Sequence, residues 1–135
     1  MVWIDRLSQK QVERIRDHFD IQEYIETGTF KGVNAEFQSR FFNKVTTVES
    51  NVNYYLDTAK RLRKLSNVQC DIGISEEFLR KYKSEYERNK RKDIVLFFLD
   101  AHYYNHLATT QKERWVVLGE LESLKDFPNG VIMIH

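Results

Sequence analysis

The stretch QEYIETGTFKG, residues 22–32, holds the features from which the fold of this chain can be predicted. A short apolar run ends in Glu26, the glycines Gly28 and Gly32 bracket a sharp turn, and an amphipathic segment follows from Val33. A strand, a glycine turn and a helix in this order form a cradle for a small molecule. The glycines let a ligand approach the backbone, and the start of a helix offers free N–H groups.

The composition is that of one globular domain. The 135 residues are 41% hydrophobic and 30% charged, with five glycines and one proline. A chain of this length buries about two-thirds of its unfolded surface around a single core. We therefore expect one domain over residues 1–135, with an N-terminal helix in residues 1–21 and a sheet with its helices in residues 22–135.

Charge and motif content exclude several classes of function. The net charge of +1 gives no general attraction to nucleic acid or to an anionic membrane. No apolar run approaches the roughly 18 residues of a membrane helix, and neither G-x-S-x-G nor H-E-x-x-H occurs. A single cysteine, Cys70, excludes an internal disulfide. We expect a cytoplasmic protein that acts on a small-molecule substrate and binds neither nucleic acid nor membrane.

Strand and helix patterns alternate along the chain. Strands are predicted at residues 22–27, 44–49, 67–72, 93–100 and 131–135. Helices are predicted from Ser8, from Gly32 to about Asn43, after Glu49, from a cap at Ser75, and from a capping box at Thr110. The six consecutive apolar residues of the fourth strand are typical of the centre of a parallel sheet. The alternation predicts an α/β fold with a doubly wound, mostly parallel five-stranded sheet and helices on both faces.

Apolar residues at helical spacing mark the expected inward faces of these helices. Glu120, within the last helix, is more often a solvent-facing residue, although it could turn toward the site. Cys70 alternates with Val68 and Ile72 on the third strand and is expected to be an inert buried thiol. The inward residues expected on the third and fifth helices are Val52, Leu56, Ala59, Leu62, Trp115, Leu118, Leu121 and Leu124.

Three of the predicted parallel strands end in a carboxylate: Glu26, Glu49 and Asp100. Ligands of such sheets bind beyond the carboxyl ends of the strands. Glu49 follows the glycine turn by about 20 residues, where an acid can accept both hydroxyls of a ribose. The alternative is a solvated acid that favours the dipole of the next helix. We favour ribose binding, which indicates an adenosine-bearing cofactor.

The loop itself indicates which cofactor. Gly28-x-x-x-Gly32 matches neither the dinucleotide fingerprint nor the Walker phosphate loop. A loop that begins with Glu26 would repel a pyrophosphate, whereas it suits a cation. S-adenosylmethionine carries an amino group and a sulfonium, and Glu26 could hold this positive end through charge-assisted hydrogen bonds.

Several segments together resemble a known family. YIETGTFKG resembles motif I of class I S-adenosylmethionine-dependent methyltransferases, and Glu49 in TVES resembles the acid of motif II. FFLDAHYY, the ELESL helix and VIMIH resemble later motifs of small enzymes of the macrocin O-methyltransferase and cephalosporin hydroxylase type. The resemblance covers about residues 23–135, and it implies a Rossmann-like sheet with strand order 3-2-1-4-5.

The resemblance also implies roles for individual residues. Asp100 would lie beside the methyl group and, as in metal-dependent relatives, could bind Mg²⁺. His102 would be the nearest base, and either Asp100 or His102 would deprotonate or polarise the acceptor oxygen. Glu49, with the neighbouring Ser50, would hold the ribose. The residues that would contact the methionine end are Glu26, Thr27, Gly28, Thr29 and Gly32, and those that would face the adenine are Gly73, Ile74 and Ser75.

The chain also departs from these relatives. Relatives often have an acid where Ile74 stands, and they continue beyond the residue matching His135 through an aspartate and two further strands. We expect either a fragment or a homodimer that pairs across an exposed sheet edge. Two other functions remain open: a non-catalytic nucleotide-binding or interaction module, and an NAD-dependent oxidoreductase.

Overall fold

The structure, a computed structural model, describes residues 6–101 and 115–135. Within these ranges helices and strands alternate as predicted. In chain order they are α1 (Arg6–Phe19), β1 (Glu23–Thr27), α2 (Val33–Gln38), β2 (Lys44–Glu49), α3 (Val52–Leu62), β3 (Val68–Ile72), α4 (Ser75–Arg88), β4 (Val95–Leu99), α5 (Val116–Ser123) and β5 (Gly130–Ile134).

The five strands form one sheet in the order β3-β2-β1-β4-β5, and every pairing is parallel. The predicted fold class and strand order are therefore confirmed. β1 lies at the centre, where Thr27 is in register with Val48 of β2 and Leu99 of β4. The carboxyl ends of these three strands consequently meet at one edge of the sheet.

Helices cover both faces because the side chains of β1 point alternately to either side. Tyr24 packs with Val12 of α1, Ala35 of α2 and Leu62 of α3. The next residue along β1, Ile25, packs on the opposite face in a cluster with Leu79 and Tyr86 of α4, with Leu124, and with Val95, Phe97 and Leu99 of β4.

Several predicted boundaries are wrong. α1 begins at Arg6 rather than at Ser8, and α2 ends at Gln38 rather than near Asn43. Ser75 is the first helical residue of α4 and not its cap, since Ile74 occupies the N-cap position without a side-chain bond. The capping box at Thr110 lies outside the described residues.

Two inward faces were also predicted wrongly. Val52 and Leu56 of α3 are exposed, because the buried face of this helix is centred on Thr58, Ala59 and Leu62. Leu56 lies about 120° around the helix from Leu62. On the last helix the errors are Trp115 and Leu118, both exposed, whereas the buried residues of α5 are Gly119, Glu120 and Ser123.

β3 and β5 are the edge strands of the sheet, and Ile132 and Ile134 of β5 are exposed. Pairing with a second copy across this edge stays a prediction. Among the helices described, none has the length and apolar character needed to cross a membrane.

At the amino ends of the strands, the buried Glu23 joins β1 to α4 and to the segment before β4. It accepts hydrogen bonds from the Tyr82 hydroxyl (2.9 Å) and from Nη2 of Arg91 (2.6 Å). Arg91 also pairs with Asp93 at 2.6 Å and lies over the ring of Tyr86. These contacts join β1, α4 and the segment before β4 at the amino end of the sheet, opposite the predicted ligand site.

We expect Arg91→Met to lower the free energy of unfolding by about 2 kcal/mol, because it leaves the buried Glu23 without its closest cation. Urea denaturation followed by circular dichroism measures the loss. The matched control is Arg80→Met, which removes the i,i+4 pair with Glu76 near the helix surface and should cost less than about 0.5 kcal/mol. Equal losses in the two variants would contradict the prediction.

Candidate cofactor site

The glycine turn after β1 is held tightly against β4. Gly28 has a φ of 80°, and a Cβ added there would lie 2.7 Å from the carbonyl oxygen of Asp100. Any side chain at this position would therefore push against the backbone at the end of β4. Gly32, with a φ of 70°, occupies the N-cap position of α2, and a Cβ there would lie 3.1 Å from side-chain atoms of Arg61 and Leu62.

The backbone N–H groups of the turn have acceptors within the chain. Those of Gly28 and Thr29 donate to the carbonyl of Val48 at 2.9 and 3.3 Å, and that of Gly32 donates to the carbonyl of Thr29. The pairing of β1 with β2 thus continues into the loop. β2 and the turn itself therefore satisfy these three donors. Free N–H groups were expected at the start of α2, and that expectation stays a prediction.

Glu49 fixes the loop to β2. It is buried, and its Oε2 accepts from the backbone N–H of Phe30 at 2.8 Å. Its Oε1 accepts from the N–H of Asn51 at 2.9 Å, next to the exposed Ser50. A carboxylate has about four acceptor positions, so capacity for two further hydrogen bonds remains. Phe30 has a φ of 48°, a conformation that is rare for a bulky residue.

Glu26 lies beneath the loop rather than on its surface. Its two oxygens accept from Asn34 Nδ2 at 2.5 Å and from the Thr47 hydroxyl at 2.9 Å. Burial raises its pKa to about 7, and the charges of Asp100 and Glu49 act in the same direction. The Thr29 hydroxyl lies 2.7 Å from that of Thr47 and links this cluster to the turn.

Asp100 continues from β4 directly beside the turn. Its backbone N–H donates to the Thr27 hydroxyl oxygen at 3.1 Å, and its Oδ1 lies 2.9 Å from Nδ1 of His135. His135 follows β5, and its ring stacks on Phe98. From the sequence, Asp100 and His102 were both candidate catalytic residues, and His102 lies outside the described residues. The pairing of β4 with β5 was the signal that would have placed His135 beside Asp100.

The corner after β3 lies on the β2 side of the site. The N–H of Gly73 donates to the carbonyl of Glu49 at 2.9 Å, and the space around Gly73 is open. Ile74 is exposed and Ser75 is buried. This corner therefore brings an apolar surface and an open backbone beside the ribose-binding candidate.

Of the two orientations left open for Glu120, the less expected one is found. This residue of α5 is fully buried instead of facing solvent. Burial raises the pKa of Glu120, and the charges of Asp100 and Glu76 raise it further. The nearby hydroxyls of Ser75 and Thr27 act in the opposite direction. The burial pattern of so short a helix could not be predicted from its apolar spacing, because Gly119 and Ser123 form part of the inner face.

The described residues do not fit a magnesium site. In residues 6–101 and 115–135, no three His, Cys, Asp or Glu side chains are arranged to hold a metal ion. Among the described residues, Asp100 Oδ1 contacts the imidazole of His135, whereas Mg²⁺ prefers oxygen ligands. The prediction of Mg²⁺ at Asp100 gains no support from this arrangement.

Comparisons with known proteins bear on the fold. No protein-family model matches the sequence, and no curated protein matches it. Among solved structures, a provisionally assigned caffeoyl-CoA O-methyltransferase from Staphylococcus aureus matches with a TM-score of 0.65 and 15% identity over 98% of this chain and 58% of its own. The O-methyltransferase TomG from Streptomyces achromogenes, in complex with S-adenosylmethionine, matches with a TM-score of 0.61 and 16% identity, over 98% of this chain and 56% of its own.

A third match is an rRNA methylase from Streptococcus thermophilus, with a TM-score of 0.59 and 16% identity over 99% of this chain and 73% of its own. The chain spans less than two-thirds of the length of the first two structures. At these identities the likeness concerns the fold alone. The chain shares its fold with methyltransferases that act on different classes of acceptor.

Proposed function

We propose that this chain binds S-adenosylmethionine and transfers its methyl group to an oxygen of a small-molecule or sugar-like acceptor. The observation that carries the proposal is the meeting of Glu26, Glu49 and Asp100, from three adjacent parallel strands, around the Gly28 turn. A site built from acids suits a sulfonium and an amino group and repels a phosphate.

The resemblance to the macrocin O-methyltransferase and cephalosporin hydroxylase type supports an oxygen acceptor. Of the structural neighbours named above, one is an O-methyltransferase, one is provisionally assigned as an O-methyltransferase, and the third is an rRNA methylase. The shared fold therefore does not indicate the class of acceptor. The near-neutral net charge of +1 favours a small molecule over RNA.

In the proposed reaction the S–CH₃ bond breaks as an O–CH₃ bond forms. The sulfonium becomes a neutral thioether, and the proton of the acceptor hydroxyl passes to a base. Asp100 is the candidate closest to the turn, and His102 is the other candidate for this base. Much of the rate would come from aligning the acceptor oxygen with the methyl group.

Isothermal titration calorimetry tests the binding step. We expect S-adenosylmethionine and S-adenosylhomocysteine to bind, and Glu49→Gln to weaken both by roughly tenfold because the ribose hydroxyls lose a charged acceptor. Glu36→Gln, which removes an exposed carboxylate of α2, is the matched control and should change neither affinity. Binding of NAD with equal or greater affinity would favour the oxidoreductase, and failure of both adenosyl ligands to bind would refute the proposal.

A second candidate function is a non-catalytic binding module. It is favoured by the loop itself, in which the N–H groups of Gly28, Thr29 and Gly32 already have internal acceptors. Transfer of a labelled methyl group to a panel of hydroxylated small molecules separates the two functions. An enzyme turns over, whereas a module binds the cofactor without transferring the methyl group.

A further inference from the structure

Glu120 is buried without the contacts that normally accompany a buried carboxylate. Its exposure is 0%, and within the described part of the chain neither carboxylate oxygen has a hydrogen-bond partner. The hydroxyls of Ser75 and Thr27 are close enough to stabilise its charged form, but they form no hydrogen bond of normal geometry with it. Burying an acid in this way is costly unless a partner compensates its charge.

The charged groups that act on Glu120 are themselves acids. Asp100 and Glu76 both raise its pKa, and Glu76 is paired with Arg80 at 2.8 Å. Among the described side chains, neither Glu120 nor Glu26 forms an ion pair with a lysine or arginine. The partner that would balance Glu120 is therefore not provided by the described helices and strands.

Glu120 and Glu26 lie on opposite sides of the end of β1. Glu26 bonds to Asn34 of α2, whereas the next residue, Thr27, points to the other face, toward Glu120 of α5. The charge of Asp100 acts on both acids. Acids on both faces, together with Asp100 between them, give the carboxyl edge of β1 and β4 a negative potential that a bound cation would balance.

We propose that Glu120 gives the site its preference for a positively charged ligand over the same ligand without the charge. This inference rests on the proposed function, in which S-adenosylmethionine is a sulfonium cation and S-adenosylhomocysteine is the corresponding neutral thioether. Methyl transfer removes the positive charge at sulfur. Glu120 would therefore favour binding of the cofactor before the reaction and release of the product after it.

The test compares the dissociation constants of these two ligands by calorimetry at about pH 8, well above the ordinary pKa of a glutamate side chain. We expect Glu120→Gln to weaken S-adenosylmethionine by roughly three- to tenfold and to leave S-adenosylhomocysteine within about twofold. Glu122→Gln removes the same charge from the exposed side of α5 and should change neither affinity. Glu120→Asp should retain most of the preference.

Equal weakening of both ligands by Glu120→Gln would show a purely structural role and overturn the inference while leaving the proposed function intact. Failure of both ligands to bind the native protein would overturn the proposed function and the inference with it. If Glu120→Gln does not fold, Glu120→Met fills the same volume without a polar group and gives the same comparison. An unchanged preference in that variant would also overturn the inference.

Discussion

Replacing Gly28 with alanine is expected to lower the free energy of unfolding by roughly 3 kcal/mol and to abolish ligand binding. The first cause is the φ of 80°, which an L-residue adopts at a cost of about 1 kcal/mol. The second cause is contact, because the new Cβ would lie 2.7 Å from the carbonyl oxygen of Asp100 and 3.1 Å from Cα of Ala101. These atoms are backbone, so the end of β4 would have to move.

Gly73→Ala is the matched control for this substitution. Gly73 also has a positive φ, of 152°, but a Cβ built there meets nothing within 4 Å. The control therefore carries strain from a positive φ without a steric contact, and a larger loss of stability at Gly28 is expected from the added contact. Thermal and urea denaturation give the stabilities, and calorimetry gives the affinity. Equal destabilisation by the two alanines would show that the contact between the new Cβ and the carbonyl oxygen of Asp100 does not lower the free energy of unfolding.

The sequence predicts the sheet well because its central strands carry strong local signals. The apolar run of β4 and the acids that end β1 and β2 placed Glu26, Glu49 and Asp100 at one edge, and the structure has them there. Helix ends were harder to predict. α2 ends early because the Ser39 hydroxyl donates back to the carbonyl of Glu36, and tight turns follow through Phe41.

Side-chain contacts between distant segments were the least predictable part of the site. The Asp100–His135 pair depends on β5 lying beside β4, as the expected strand order implies, but the strand order alone does not show which side chains meet beyond the strand ends. The orientation of Glu120 was left open because polar residues on a short helix normally face solvent. Here a small residue, Gly119, lets the helix approach Glu76 of α4 closely. Asn51, by contrast, is the N-cap of α3, and its side chain accepts hydrogen bonds from backbone N–H groups of the first turn. An asparagine directly before a segment of helical periodicity is a typical N-cap.

The ionisation of Glu26 is expected to make the protein less stable as the pH rises from about 4.5 to about 7. Its pKa is raised from 4.5 to about 7, first by burial and then by the charges of Asp100 and Glu49. Between these two values the folded protein keeps a proton that the unfolded chain has released. The slope of unfolding free energy with pH is therefore negative, and this group alone removes about 3 kcal/mol by neutral pH.

Glu26→Gln tests this expectation because glutamine keeps the shape of the protonated acid and cannot ionise. Urea denaturation from about pH 5 to about pH 8 should show a fall in stability for the native protein and a flatter profile for the variant. Glu36→Gln, on the exposed side of α2, should keep the native slope. A native profile that rises through this range, or a variant profile parallel to it, would show that Glu26 is ionised in the fold. Asn34 and Thr47, which favour the charged form, would then outweigh burial.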